Sequence, residues 1–181
     1  MLAHGCLCAM LVSCLFAVAL AAELPVEGGS LGALRLPAPA IPAESAYLGV
    51  PSGESFAFSD LKADLVVIEV IGVYCPICHE QAPALRSLFR SLQRDGALNG
   101  RVCFLALASG ATELEVAAVR KEHRAEYPIL RDEDYSVHKN LGEPKTPFLI
   151  LADASGKVLH THLGRLESPE AFLKILHERL P

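Results

Sequence analysis

Between Leu65 and Ile71 the chain reads Leu-Val-Val-Ile-Glu-Val-Ile, an apolar run interrupted by one acid. Without polar alternation, such a run predicts a strand buried on both faces. Beyond it, Leu85, Leu88, Phe89 and Leu92 fall at i, i+3, i+4 and i+7, one face of a helix. Residues 101–108 predict a second buried strand. Thr112 and Glu115 form a capping box that opens a helix running to about residue 124. A short strand is expected at 127–130, and a short helix at 135–141 closed by Gly142. Two strands, at 148–151 and 157–163, are joined through Ala154-Ser155-Gly156 as a hairpin. Ser168 as N-cap and Pro169 after it open a last helix, with Phe172, Ile175, Leu176 and Leu180 towards the sheet. The order predicts an α/β fold: a central mixed sheet flanked by helices on both faces.

The first quarter of the chain reads differently. Residues 1–22 contain no Asp, Glu, Lys or Arg and end in Ala19-Leu20-Ala21-Ala22. An apolar core followed by small residues is the pattern of a cleaved signal peptide, although a basic start is missing. About 20 apolar residues also suffice for an uncut membrane anchor that tethers the chain. Leu11-Val12-Ser13-Cys14 offers a third reading, a bacterial lipobox. All three place the remainder outside the cytoplasm, in the periplasm or beyond, where disulfides persist. Pro25, Pro37, Pro39 and Pro42 among Gly and Ala make residues 23–47 an expected Pro-rich linker without regular structure. The folded domain is then expected over residues 48–181.

Composition narrows the function classes. With 181 residues, 51% hydrophobic, and a net charge of −5, the chain is globular and ill-suited to nucleic acid. Setting aside Cys6, Cys8 and Cys14 of the leader leaves Cys75, Cys78 and Cys103. Three is an odd number, which argues against a framework of structural bridges. Cys103 lies in the second buried strand, where an inert core thiol is expected.

Cys75-Pro76-Ile77-Cys78 sits where the first strand gives way to a helix, and a dithiol there reads as redox-active. A cysteine at a helix N-terminus meets unpaired N–H groups and the positive end of the macrodipole, both of which favour the thiolate nucleophile. Cys75 is therefore expected to attack, and Cys78, one turn further in, to resolve. Pro76 follows the N-cap, where its missing N–H is harmless. A zinc site wants a second ligand pair, and only His160 and His162 cluster. No metal and no cofactor are expected.

With His79 the motif also spells a c-type haem attachment site. Both methionines, Met1 and Met10, lie in the leader, so no Met axial ligand remains for a haem. His79 has two readings, a positive charge beside the thiolate or, as the leading one, a solvated helix residue; His123, His138 and His177 read as surface side chains, and the charged run from Arg120 to Arg124 as a solvated helix end.

Taken together, these features resemble the thioredoxin-like superfamily. The dithiol follows the central strand. Pro83 stands eight residues after Cys75, where the family's active-site helix has its kinking proline. Glu69 lies six residues before Cys75, the place of its buried acid. Thr146-Pro147 precedes a hairpin strand, where the family has its cis-proline. The Ser59-Asp60-Leu61 entry, the dithiol and the leader are similar to the extracytoplasmic TlpA/ResA-like subgroup, with Tyr74 replacing a usual Trp and Gln81 a frequent Glu.

The resemblance implies a thioredoxin fold and a thiol–disulfide oxidoreductase acting on protein thiols or disulfides, including apocytochrome c cysteines. It would be recharged by an upstream redox partner, which can be membrane-bound. Glu69 is implied to exchange a proton with Cys78, and Thr146, Pro147 and Pro76 to meet the substrate. A thiol peroxidase on the same fold is the alternative, but the Pro-x-x-x-Thr-x-x-Cys environment of such enzymes is missing before Cys75. A copper chaperone of the Sco type would want a spacing one residue longer.

Overall fold

The computed structural model describes residues 22–31 and 34–181; the leader, apart from Ala22, lies outside the described residues. Five strands form one sheet in the order β5-β4-β3-β6-β7. At its centre is β3 (Leu65–Gly72), paired in parallel with β4 (Val102–Ser109) and antiparallel with β6 (Phe148–Asp153). β5 (Ile129–Asp132) extends the parallel side and β7 (Val158–Leu163) the antiparallel side. This is the mixed α/β sheet that the apolar runs predicted.

Each face of the sheet has its own core. Leu65, Val67 and Ile71 of β3 pack with Leu85, Leu88, Phe89 and Leu92 of α2 (Pro76–Arg94). The same cluster takes Val116 and Val119 of α3 (Glu113–His123), and Phe172 and Leu176 of α5 (Pro169–Arg179). Val66, Ile68 and Val70 point the other way, onto Leu36, Leu48, Phe56, Phe58 and Leu141. Val137 of α4 (Ser136–Asn140) joins them. Truncating a fully buried leucine such as Leu88 costs about 2–5 kcal/mol.

The region expected to be a linker is structured, and the folded unit starts well before residue 48. Strand β1 (Arg35–Leu36) pairs with β2 (Phe56–Ala57), and helix α1 (Pro42–Leu48) follows, ending on Gly49 at φ 68°. Leu31, Leu34, Leu36 and Leu48 are the cause: spaced among the prolines, they cover the second core. Pro42 opens α1 at a position where its missing N–H costs nothing.

Nor is Arg120 solvated with its neighbours. Its guanidinium donates at 2.7 Å to Glu44, a buried acid of α1 whose same oxygen accepts the Ile129 N–H at 3.1 Å. Earlier still, residues 28–31 lie along the outer side of β7. Gly28 donates to Val158, Val158 donates to Gly29, and Leu31 donates to Gly156, all at 2.8–2.9 Å.

Candidate active site

The central strand β3 ends at Gly72, and α2 starts four residues later. Cys75 is its N-cap, in extended backbone (φ −83°, ψ 110°), and its Sγ accepts the Cys78 N–H at 3.2 Å. A sulfur placed to accept a helix-terminal N–H is one whose negative form is favoured. Cys75 and Cys78 are joined as a disulfide, with Cα atoms 5.3 Å apart. Their exposure differs: Cys75 is half-buried, whereas Cys78 is 1% exposed. Pro76 sits at the first helical position, and Pro83, inside α2, cannot donate to the carbonyl of His79.

A second segment closes over the dithiol. The Thr146–Pro147 peptide is cis, and the Thr146 carbonyl oxygen lies 3.6 Å from Cys75 Sγ. Gly72 permits this approach, since a Cβ there would come within 3.3 Å of Thr146 Oγ1. The Pro147 carbonyl accepts the Gly164 N–H at 2.9 Å, tying the segment to the end of β7. Tyr74, Ile77 and Leu163 stand exposed nearby in the fold: Tyr74 and Ile77 flank the dithiol, and Leu163 pairs with Phe148 beside Pro147. The Tyr74 hydroxyl donates to Glu115 at 2.5 Å.

Beneath the dithiol lies Glu69, 1% exposed, on the face of β3 that meets α2. Gln81 donates to its carboxylate at 2.5 Å through Nε2, and the Gln81 carbonyl oxygen accepts the Leu166 N–H at 3.0 Å. Burial pushes the Glu69 pKa up to about 8, against the opposing pull of the Gln81 hydrogen bond. In the sequence Gln81 stands out only as a departure from a family pattern. Its position five residues after Pro76, on the helix face that carries Cys78 and Leu85, was the available signal.

Two histidine expectations are corrected. His123 is buried, and His79 is half-buried with both ring nitrogens engaged, on His123 and on the Val73 carbonyl, each at 2.9 Å. The spacing Val116, Val119, His123 puts His123 on the inner stripe of α3, which its charged neighbours disguise. His138 bonds the Pro144 carbonyl and His177 bonds Asp95 at the surface. His160 and His162 turn to separate partners, Glu27 and the Arg165 carbonyl. Cys103 is buried and free, and burial pushes its thiol up to about 12.

The Redoxin family model matches residues 39–174, three quarters of the chain. The chain belongs to the Redoxin family. The thiol-disulfide oxidoreductase ResA of Halalkalibacterium halodurans is 25% identical over 126 residues, covering 68% of this chain and 69% of that protein. Among solved structures, the thioredoxin domain of a thiol-disulfide oxidoreductase from Bacteroides vulgatus superposes with a TM-score of 0.63 at 14% identity. It covers 87% of this chain and 99% of that one. StoA from Bacillus subtilis gives a TM-score of 0.57 at 17% identity, over 68% and 89% of the two chains. These superpositions establish the thioredoxin fold. This Redoxin member is thioredoxin-like, of the TlpA/ResA type, and a thiol–disulfide oxidoreductase.

Proposed function

We propose that this chain reduces disulfides of extracytoplasmic proteins, with Cys75 as the attacking thiol, Cys78 as the resolving thiol and Glu69 as the proton acceptor. The unequal exposure of the two cysteines is the observation that carries this reading. In the reduced protein the Cys75 thiolate attacks one sulfur of a substrate disulfide. A mixed disulfide forms and one substrate thiolate leaves. Cys78 then gives its proton to the Glu69 carboxylate and, as thiolate, attacks Cys75 Sγ. The second substrate thiolate departs, leaving Cys75 and Cys78 as the disulfide and the substrate reduced by two electrons. A dithiol of the upstream partner restores the starting state. A carboxyl with a pKa near 8 holds and releases a proton around neutral pH, as this cycle requires.

Thr146 supports the same reading. Its carbonyl lies beside Cys75 Sγ and its neighbour Pro147 has no N–H, so an extended substrate segment can lie along it while its disulfide faces Cys75. Pro76 and the apolar side chains of Tyr74 and Ile77 offer the opposite wall. The leader composition and the kinship with ResA favour an extracytoplasmic site of action, and apocytochrome c cysteines are the substrates that the subgroup resemblance suggests.

Trapping tests the assignment. Cys78→Ser leaves the nucleophile and removes the escape route, so covalent complexes should accumulate in an extracytoplasmic extract. Cys75→Ser should trap almost nothing. Mass spectrometry of the trapped species names the substrates, and equal trapping by both variants defeats the division of roles.

A further inference from the structure

Beside the dithiol, outside the machinery just described, two imidazoles meet edge to face. His79 Nδ1 lies 2.9 Å from His123 Nε2, with ring centroids 5.0 Å apart and planes at 84°. The other nitrogen of His79, Nε2, lies 2.9 Å from the Val73 carbonyl oxygen. A carbonyl only accepts, so Nε2 carries a hydrogen in every protonation state of the pair. In the neutral pair His79 Nδ1 must therefore accept, and His123 Nε2 must donate. In that arrangement an added proton enters at His123 Nδ1, and the two rings then share the one between His123 Nε2 and His79 Nδ1. Glu122, 3.4 Å from His79 Nδ1, faces that proton. A second proton would put two cations side by side, which their repulsion opposes.

The surroundings supply charge of both signs. From α3, Glu122 lies against His79, and Glu115 shares with His79 a cleft of about 390 Å³ lined also by Val73, Tyr74 and Val119. The Tyr74 hydroxyl, and then Thr112, hold Glu115 down at about 2, so it is ionised throughout. From α2, Arg86 donates to the His123 carbonyl at 3.0 Å. Burial chiefly, and His79 next, lower the His123 pKa, while Glu122 raises it.

His79 is also the residue that holds the dithiol loop at both ends. Its backbone N–H donates to the Cys75 carbonyl at 3.2 Å while its ring takes the carbonyl of Val73. Cys75 is the N-cap, and His79 stands four residues on, one turn into α2.

We propose that His79 and His123 hold one added proton that stabilises the Cys75 thiolate electrostatically, while the His79 Nε2–H bond to Val73 positions the loop of residues 73–75. The pair is a positioning element, and this role rests on Cys75 being the attacking thiol. By linkage, a proton that favours the thiolate is itself favoured by the thiolate to the same extent. The disulfide carries no charge. The pair therefore keeps its proton to higher pH in the reduced protein than in the oxidised one.

The test is a histidine side-chain NMR titration of the full chain in both redox states, paired with iodoacetamide alkylation of the reduced protein against pH and mapping of the label. The expected result is proton binding at His79 and His123 at least about threefold tighter after reduction, a shift of about half a pH unit. The label should fall on Cys75 along a two-step pH profile that becomes one step in His79→Gln and in His123→Leu. Thermal melts verify that the variants are folded, and the wild-type titration needs no variant. Label on Cys75 with an unchanged histidine midpoint overturns the dyad while sparing the nucleophile. Label on Cys78 overturns the nucleophile and the dyad's role with it.

Discussion

Gln81 donates to the Glu69 carboxylate at 2.5 Å in a place where each residue is 1% exposed. One amide thus bridges the central strand and the Leu166 backbone beyond β7, because its carbonyl oxygen accepts the Leu166 N–H. Replacing it with Leu strands a buried carboxyl and a buried N–H. Gln81→Leu should lower stability by about 2–4 kcal/mol, the combined cost of two unsatisfied groups. It should also raise the pH at which Glu69 titrates, since the bond that opposes burial is gone. Denaturant melts and the pH profile of mixed-disulfide resolution measure the two effects. A midpoint that falls instead would show that the amide does not favour the charged carboxylate.

Glu69 should leave a mark on stability as a function of pH. Its carboxyl titrates near 4.5 when unfolded and at about 8 when folded, so between those values the folded state binds the extra proton. Stability from this group is full below 4.5, declines as pH rises, and levels off above 8. The slope is at most about 1.4 kcal/mol per pH unit. Glu69→Gln should flatten that decline, and melts from pH 5 to 8 of the two proteins check it.

Two of the three cysteines of the folded part, Cys75 and Cys103, should separate chemically. In the reduced native protein Cys75 should alkylate with a midpoint below about 8.5, as a helix N-cap sulfur. Cys103, buried with its thiol pushed up to about 12, should not react until the protein unfolds. Peptide mapping of labelled native and urea-treated protein distinguishes them, and rapid native labelling of Cys103 would contradict its placement.

Removing Glu44 breaks a charge pair whose acid is buried and whose Arg120 is partly so, and orphans the Ile129 N–H. Glu44→Ala should cost about 3 kcal/mol, typical of taking one partner from a buried pair. Glu44→Gln, which retains an acceptor, should cost less. Unfolding midpoints compared with Arg120→Met show whether α1 is fastened through this pair.

Export with a haem-attachment system should give no covalent haem despite Cys75-Pro76-Ile77-Cys78-His79. The Cys75 side packs against Thr146, Cys78 is buried, and both methionines precede the domain. A Soret band from purified protein is the contrary result.

Much of this was legible in the chain because apolar runs and helical stripes are enforced by burial. Leu85, Leu88, Phe89 and Leu92 announced the inner face of α2, and the acid among Val and Ile announced a buried carboxyl. The Pro-rich segment misled because its leucines follow no single period. Leu31, Leu34 and Leu36 are buried by an irregular path, and α1 is only seven residues long. His123 misled because a charged run around it masks a single inward position. The Gln81 bridge and the histidine pair depend on elements far apart in sequence, and spacing within one helix does not reveal a partner on another.

The stretch at residues 28–31 that lies along β7 has a colloidal consequence. β7 ends the sheet, and a bare terminal strand offers its N–H and C=O row to a strand from another molecule. Here the row beside Gly156 and Val158 is already spoken for by the chain itself. A version trimmed to start at Arg35 would bare that margin, and its concentration-dependent light scattering should exceed that of the whole chain. The N-terminal residues would then act as a built-in guard against oligomer growth.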